Sequence, residues 1–423
     1  MIADHLIFSV LAGLLPLAIT AFFISKHFAQ NAAIRKGKKP LARPTDYGVF
    51  SVIWMFIPCL FVAVLFTALE KISPSTFLAL APFRVVTYIV VAALAGVLCL
   101  KYFVRPDFRA RHAVEKVIEY TLLIASLISI ATTVGIVISI IVESLEFFAQ
   151  VDAMQFLFGT EWDPSSAFEE STKDTGEKSS AKFGSIPLFW GSFYITLIAL
   201  IVSIPIGLLS AIYLSEFSSK RIRVMAKPTL EILAGIPTVV YGFFAAVTVA
   251  PFITETVRSF NESYGLDIPV DASNALAPCL VMGIMLIPFV SSLSDDIITA
   301  VPQALRVGWR GLGATPSETI RQVVLPAALP GIVGAVILAA SRAIGETMLV
   351  VFGAGAAGKL SLNPFEAMTT VTAKIVSQLT GDADFASPEA LVAFALGMTL
   401  FILTLGLNVV ALMIVRKYRE QYE

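Results

Sequence analysis

The chain has 423 residues, of which 57% are hydrophobic and only 14% charged, and its formal net charge is −1. Soluble chains lie nearer half apolar and a quarter charged, so this composition argues against a soluble globular enzyme, a collagen, a disordered chain and a disulfide scaffold. Cys59, Cys99 and Cys279 lie in apolar runs, and His5, His27 and His112 are scattered without ligand spacing, so the sequence implies no cofactor or metal.

A membrane-spanning helix needs roughly 20 mostly apolar residues. Nine runs qualify, near 6–25, 47–69, 85–103, 117–142, 188–214, 229–252, 275–299, 331–352 and 389–415. They are too long for barrel strands, and helices satisfy their own backbone in lipid. The expected fold is therefore all-α, a polytopic bundle of about nine helices. The first run has no basic flank before it and no small-residue cleavage site, and reads as a retained helix.

Charge alternates along the chain. Residues 26–46 hold six Lys or Arg and one acid, 101–116 hold five and two, and 215–227 hold Lys220, Arg221, Arg223 and Lys227 against Glu216. Residues 300–330 hold Arg306, Arg310 and Arg321 against Glu318, and the tail carries Arg416, Lys417 and Arg419. By contrast, 143–187 hold nine acids and three lysines. Of 30 Lys and Arg, 21 fall in the first set of segments. The positive-inside rule places that set in the cytoplasm, with the N-terminus outside and the C-terminus inside.

The chain divides near residue 116. Residues 1–116 read as a three-helix N-terminal extension, and 117–423 as a core with an outer loop at 143–187 and a cytoplasmic loop at 300–330. The basic loop 26–46 reads as a positive-inside flank or a contact for anionic lipid. Residues 164–182 are polar and expected to be mobile, either a linker or an outer contact for a soluble partner. Gly353-Ala-Gly-Ala-Ala-Gly358 matches a dinucleotide-binding pattern, but an apolar helix precedes it and no strand does. Asn261-Glu-Ser263 matches a glycosylation sequon and carries no weight without a eukaryotic secretory context.

Local chemistry is densest at 300–331. Thr315, Pro316 and Glu318 have capping-box spacing, with Pro316 suited to the first helical position. Pro326 is expected to end the helix that Pro316 starts. The result would be a short rigid helix between two spans, which either transmits force or lies on the membrane surface.

Here the chain resembles a family. Gly313 followed by Val323-Val324-Leu325-Pro326 has the spacing of the "EAA" loop of ABC importer permeases, although Val307, Gly308 and Trp309 replace its leading triplet. Gly184-Ser-Ile-Pro187, Trp190-Gly191-Ser192, Pro205-Ile-Gly207, Ala211-Ile-Tyr-Leu-Ser-Glu216, Leu233-Ala-Gly-Ile-Pro237 and Val240-Tyr-Gly-Phe-Phe244 are similar to segments of phosphate permeases. Arg342-Ala-Ile-Gly-Glu-Thr-Met348 resembles the intramembrane motif of the phosphate-specific (Pst) permeases, of the PstC type. The resemblance covers about residues 117–420. It implies a type I importer permease core of six helices, working by alternating access. It also implies a PstA-like second permease, two PstB-like ATP-binding subunits, an extracytoplasmic PstS-like phosphate-binding protein, and phosphate as substrate, with no nucleic acid. Gly313, Thr315, Pro316, Glu318, Leu325 and Pro326 would then face the ATPase. The chain itself would be no enzyme, since it lacks an ATP site.

Charge inside lipid is costly and marks function. Arg342 and Glu346 fall within the eighth run, and their i,i+4 spacing would place them on one helical face, close enough to pair. They read as a packing ion pair or as a substrate pathway in which Arg342 meets an oxyanion and Glu346 offsets it; the two readings are compatible. Asp295, Asp296, Glu231 and Lys227 read as interface charges or as a gate. Gly235, Pro237 and Pro288 are candidate helix bends, as is Pro205. Two other functions remain open: a permease for another oxyanion or an organic solute, and a membrane sensor that transports nothing.

Overall fold

The computed structural model describes residues 2–36, 41–72, 74–105, 108–163, 182–380 and 387–419. The polar run expected to be mobile lies outside these residues, except for Lys182. Contacts divide the chain into two compact units, Met1–Val134 and Gly135–Glu423.

In the first unit, α1 (Ile2–Lys36), α2 (Pro44–Ile72) and α3 (Pro74–Tyr102) pack pairwise, and α4 (Ala110–Gln150) begins. The division between units falls inside α4, beyond the expected boundary at 116. One end of the unit is held by aromatic packing. Phe50 lies 5.9 Å from Trp54 and 5.1 Å from Phe108, and Trp54 lies 4.9 Å from Phe103. The Tyr47 hydroxyl donates to the Phe108 carbonyl at 2.8 Å. Buried Ser25 and Ser51 share a hydrogen bond of 2.6 Å, which satisfies polar groups that lipid or core would leave unpaired.

The second unit continues with α5 (Ala153–Phe158) and a two-residue antiparallel hairpin, β1 (Trp162–Asp163) with β2 (Lys182–Phe183). Next come α6 (Ile186–Ile212), a wide π-turn at Tyr213–Phe217, and α7 (Lys220–Ala234). α8 (Thr238–Phe244) runs through a second π-turn at Ala245–Val249 into α9 (Ala250–Tyr264). α10 (Leu276–Ala300), α11 (Gln303–Gly311) and α12 (Pro316–Thr319) follow. A third π-turn at Ile320–Val324 leads into α13 (Leu325–Ile344), and α14 (Met348–Gly353), α15 (Val371–Leu379) and α16 (Pro388–Arg419) complete the unit.

Among the described residues, seven helices are long and apolar enough to cross a membrane, and Val86–Tyr102 is a shorter apolar helix. Two expected spans shift. The sixth is Thr238–Tyr264, not 229–252, because Gly235 ends α7 and Pro237 precedes α8. The eighth is Pro316–Ile344, not 331–352, because the chain breaks at Gly345. Pro205 and Pro288 lie inside α6 and α10, which run on unbroken. The glycine-rich run is the end of α14 and a loop in which Gly355 has φ +88°; a helix precedes it.

The core of this unit is the packing of α6 on α10. In lipid, helices gain little from apolar burial and associate where small residues let backbones approach. α6 buries Ser192, Thr196, Ala199, Ser203, Gly207 and Ala211 along one face. A Cβ on Gly207 would lie 2.9 Å from Val290, and one on Gly283 would lie 2.9 Å from Val202. The two contacts advance together along both helices, so the pair is parallel. Gly207→Leu is therefore expected to cost at least about 1–3 kcal/mol through overpacking. Thermal unfolding of the purified chain in detergent checks this, and an unchanged midpoint would refute it.

Candidate functional site

The loop after α10 begins with Val301-Pro302 and the short helix α11. Its turns expose Leu305 and Val307, and Leu312 just beyond it is 81% exposed. Gly313 then takes φ +93°, a left-handed conformation that a side chain would strain. The expected capping box forms. The Thr315 amide donates to Glu318 Oε2 at 2.8 Å, and the Glu318 amide donates to Thr315 Oγ1 at 3.3 Å. Thr315→Ala should weaken this helix start by roughly 1 kcal/mol, read as faster amide hydrogen exchange confined to residues 316–320.

Pro326, however, does not end the helix. The chain winds from Pro316 through the π-turn into α13 and reaches Ile344. Pro326 follows directly on the π-turn, and that widened turn relieves the ring's clash with the preceding carbonyls. The short separate helix is therefore α11, while the capped segment is the root of a span. Gly313, Thr315, Pro316 and Glu318 cluster on one exposed turn. Pro326 is exposed about two turns further on, but Leu325 packs inward in the cluster of buried Ala211, Ile298, Val324 and Ala328.

What fixes α11 is a pair that sequence reasoning missed. Arg306, the buried residue of α11, forms an ion pair with Glu216 from the π-turn after α6, and donates to the Ile298 carbonyl of α10. Both side chains are under a tenth exposed. The helix is thereby tied to the ends of the two helices that pack most closely. Glu216 closes a family-like segment and Arg306 carries one charge in a basic loop, but no local pattern joins residues so far apart in sequence.

A second network holds α7. Its basic face meets α10, where the Arg223 guanidinium donates to both Asp295 oxygens at 3.0 and 3.1 Å. Lys227 reaches Asp295 at 2.7 Å and Asp296 at 3.4 Å. Its hydrogen bond to Asp295, with the charges of both carboxylates, holds the Lys227 amine above its ordinary range despite some desolvation. Asp295 is only 2% exposed, and the two cations give its buried carboxylate the partners that burial demands. Glu231 lies on α7 and does not start a span.

Arg342 and Glu346 do not share a helical face. α13 stops at Ile344, Gly345 caps it, and α14 begins at Met348. No ion pair joins the two among the described residues, because Glu346 lies in the break where i,i+4 geometry no longer applies. Arg342 is exposed in the last turn of α13, its guanidinium 5.5 Å from the Phe289 ring centroid. Glu346 is 9% exposed. Its Oε1 accepts from the Thr347 amide at 3.2 Å, and its carbonyl accepts from Thr372 Oγ1 at 2.7 Å. α8 restarts just after the Gly235–Pro237 break. A Cβ on its Gly242 would come within 2.9 Å of the Met348 carbonyl, so the two restarted segments lie backbone to backbone. Broken helices at membrane depth are tolerated where they line a path or are buried in protein.

Residues 203–420 match the family model described as binding-protein-dependent transport system inner membrane component. The chain is 34% identical over 281 residues to phosphate transport system permease protein PstC 1 of Mycobacterium tuberculosis, covering 63% of this chain and 83% of that protein. It is 33% identical over 259 residues to PstC of Mesorhizobium japonicum, covering 59% and 79%. It is 31% identical over 281 residues to the probable ABC transporter permease YqgH of Bacillus subtilis, covering 66% and 84%. A solved bacterial alginate ABC transporter aligns with 73% of this chain and 94% of its own at 16% identity and a TM-score of 0.43. With its span-forming helices, its exposed loop helix and a family match over more than half its length, the chain belongs to the binding-protein-dependent transport system inner membrane components.

Proposed function

We propose that the chain is the PstC-type permease subunit of an ATP-driven phosphate importer in the inner membrane. The observation that carries this reading is the match to PstC proteins along most of their length. The site chemistry agrees with it. An exposed guanidinium at a helix break offers planar, bidentate donors to an oxyanion and keeps its charge at any working pH. Glu346, buried in the same break, holds the local charge near balance and keeps phosphate from being trapped, as transport requires.

The partners follow from the same reading: a PstA-like second permease, two PstB-like ATPase subunits and a PstS-like binding protein. α11 and the Gly313–Glu318 turn dock on an ATPase subunit in the cytoplasm, with the C-terminus on that side and the N-terminus outside. ATP binding moves α11, and Arg306–Glu216 carries the displacement to α6 and α10. The spans open outward, accept phosphate past Arg342, and return inward on hydrolysis.

The test is uptake of labelled phosphate at limiting concentration, in cells lacking their own high-affinity system and supplied with this chain and its partners. Uptake is expected only with the ATPase present. Uptake that persists without the ATPase contradicts the reading. Stronger inhibition by sulfate or a phosphonate than by unlabelled phosphate moves the assignment to another anion.

A further inference from the structure

Among the described residues, the Arg342 guanidinium has one side-chain partner, the ring of Phe289 on α10. Phe289 is half-buried and serves two sides. The guanidinium lies 5.5 Å from its ring centroid. Phe289 also lines a cavity of about 170 Å³ between α7 and α10. α7 contributes Lys227, Leu230 and Glu231 to that cavity, and α10 contributes Ser291 and Asp295 beside Phe289. Arg342 meets the ring but does not line the cavity, so the ring stands between them.

The cavity has a direction. From Phe289 to Asp295, α10 rises about 9 Å toward its end at Ala300 and the α11 loop. Arg342 lies in the last turn of α13, at the far end from that loop. An anion passing from Arg342 toward the α11 end would cross the ring, then the cavity, then the Lys227–Asp295 ion pair. The cavity wall carries the carboxylates of Glu231 and Asp295 against the single ammonium of Lys227. Such a wall does not retain an anion and opposes its return. An anion is therefore held on the Arg342 side, and the step between holding and release lies at the ring. The Ser291 hydroxyl, buried and without a partner among the described residues, leaves one donor for an anion in transit. Val290, the residue after Phe289, is fully buried, and a Cβ on Gly207 of α6 would lie 2.9 Å from it. The α10 backbone is thus packed tight at this level, and the way opens by rotation of the ring.

We propose that Phe289 is the positioning residue of Arg342 and bars the anion's way inward: its ring holds the guanidinium, and the anion enters the cavity only when the ring turns aside. This rests on the reading of Arg342 as the oxyanion contact of the transport path. An arginine alone at a helix end populates many rotamers, and a cation near an aromatic ring is attracted by the ring's quadrupole, which narrows them. The two roles are linked. The rotation that opens the cavity also removes the ring on which the guanidinium rests. The anion is loosened from Arg342 in the same movement that opens its exit.

The experiment compares wild type, Phe289→Leu, Phe289→Tyr, Arg342→Gln and the Phe289→Leu, Arg342→Gln double variant in the full complex, reconstituted in vesicles and matched for abundance and ATPase-subunit binding. Phe289→Met replaces the Leu variant if that one fails to assemble. Two rates are read: ATP-driven import of labelled phosphate from the loaded binding protein, and escape of labelled phosphate from preloaded vesicles without ATP. Phe289→Leu is expected to lose about fivefold in import and to leak faster than wild type. Phe289→Tyr keeps the aromatic ring and is expected to retain most of the import without a leak. The double variant is expected to leak less than Phe289→Leu, since the escaping anion then meets no guanidinium. A Phe289→Leu complex that imports at the wild-type rate without a leak overturns the proposal. So does slower import without a leak, which any packing defect could produce. A Tyr variant that fails as fully as Leu also overturns it, since the aromatic ring would then not be what the position supplies. If Arg342→Gln alone imports at the wild-type rate, the reading of Arg342 fails, while a leak in Phe289→Leu still places the barrier at the ring.

Discussion

Arg306→Met is expected to be among the most damaging single changes in the chain, and Arg306→Met combined with Glu216→Leu is expected to be milder than either change alone. The single change leaves a carboxylate buried at 5% exposure with no cation to meet it. Breaking a buried pair in this way costs about 3–5 kcal/mol, whereas replacing both partners by apolar groups is often near neutral. The Ile298 carbonyl loses the Arg306 donor but keeps the Val301 amide at 3.3 Å, so the stranded carboxylate is the larger cost. Thermal unfolding in detergent reads the stability part, with a large drop for each single variant and recovery in the double variant. The transport reading adds a second result. In the double variant α11 still forms, but its charged tether to α6 and α10 is gone. ATPase activity should then persist while its stimulation by loaded binding protein falls. If each single variant melts like wild type, the pair is not the anchor of α11. If the double variant is stable and fully coupled, the displacement travels by another route.

The location of this anchor explains what the sequence could and could not disclose. Spanning helices are legible because every apolar residue adds to the same sum over a window of about 20 residues, and seven runs fall on helices of sufficient length and hydropathy. A window sum is blind to a break in the backbone. Leu230, Ile232 and Leu233 are contiguous with the sixth span in sequence and equally apolar, yet they belong to α7, which Gly235 and Pro237 separate from α8. The same blindness put Arg342 and Glu346 on one helix, although Gly345 stands between them. The capping box was readable because its chemistry closes within four residues. Pro326 misled because the rule that proline ends a helix assumes α-geometry in the preceding turn, and here that turn is a π-turn. Arg306–Glu216 and Arg223–Asp295 bring together residues that only tertiary folding makes neighbours, and no periodicity announces them.

Arg342→Gln is expected to abolish most phosphate uptake while leaving the chain folded. Arg342 is exposed at the end of α13, and its described contact is with the Phe289 ring, so its loss opens no buried cavity and strands no carboxylate. Melting and ATPase-subunit binding should therefore stay near wild type. A charged hydrogen-bonding contact contributes about 1.5–3 kcal/mol, which corresponds to roughly 10- to 150-fold in rate if it is made only as the anion passes. Arg342→Lys keeps the charge but not the planar fork, and should fall between wild type and Gln. Glu346→Gln tests the other half of the charge balance. It keeps an acceptor for the Thr347 amide and leaves the carbonyl that Thr372 holds untouched, so the break persists while the negative charge goes. With less opposing charge beside Arg342, an anion should leave more slowly, lowering the maximal rate without lowering the apparent affinity. Uptake at the wild-type rate in Arg342→Gln would remove Arg342 from the path. Equal loss in Arg342→Gln and Arg342→Lys would assign the guanidinium's geometry, and not its charge, as what the anion requires.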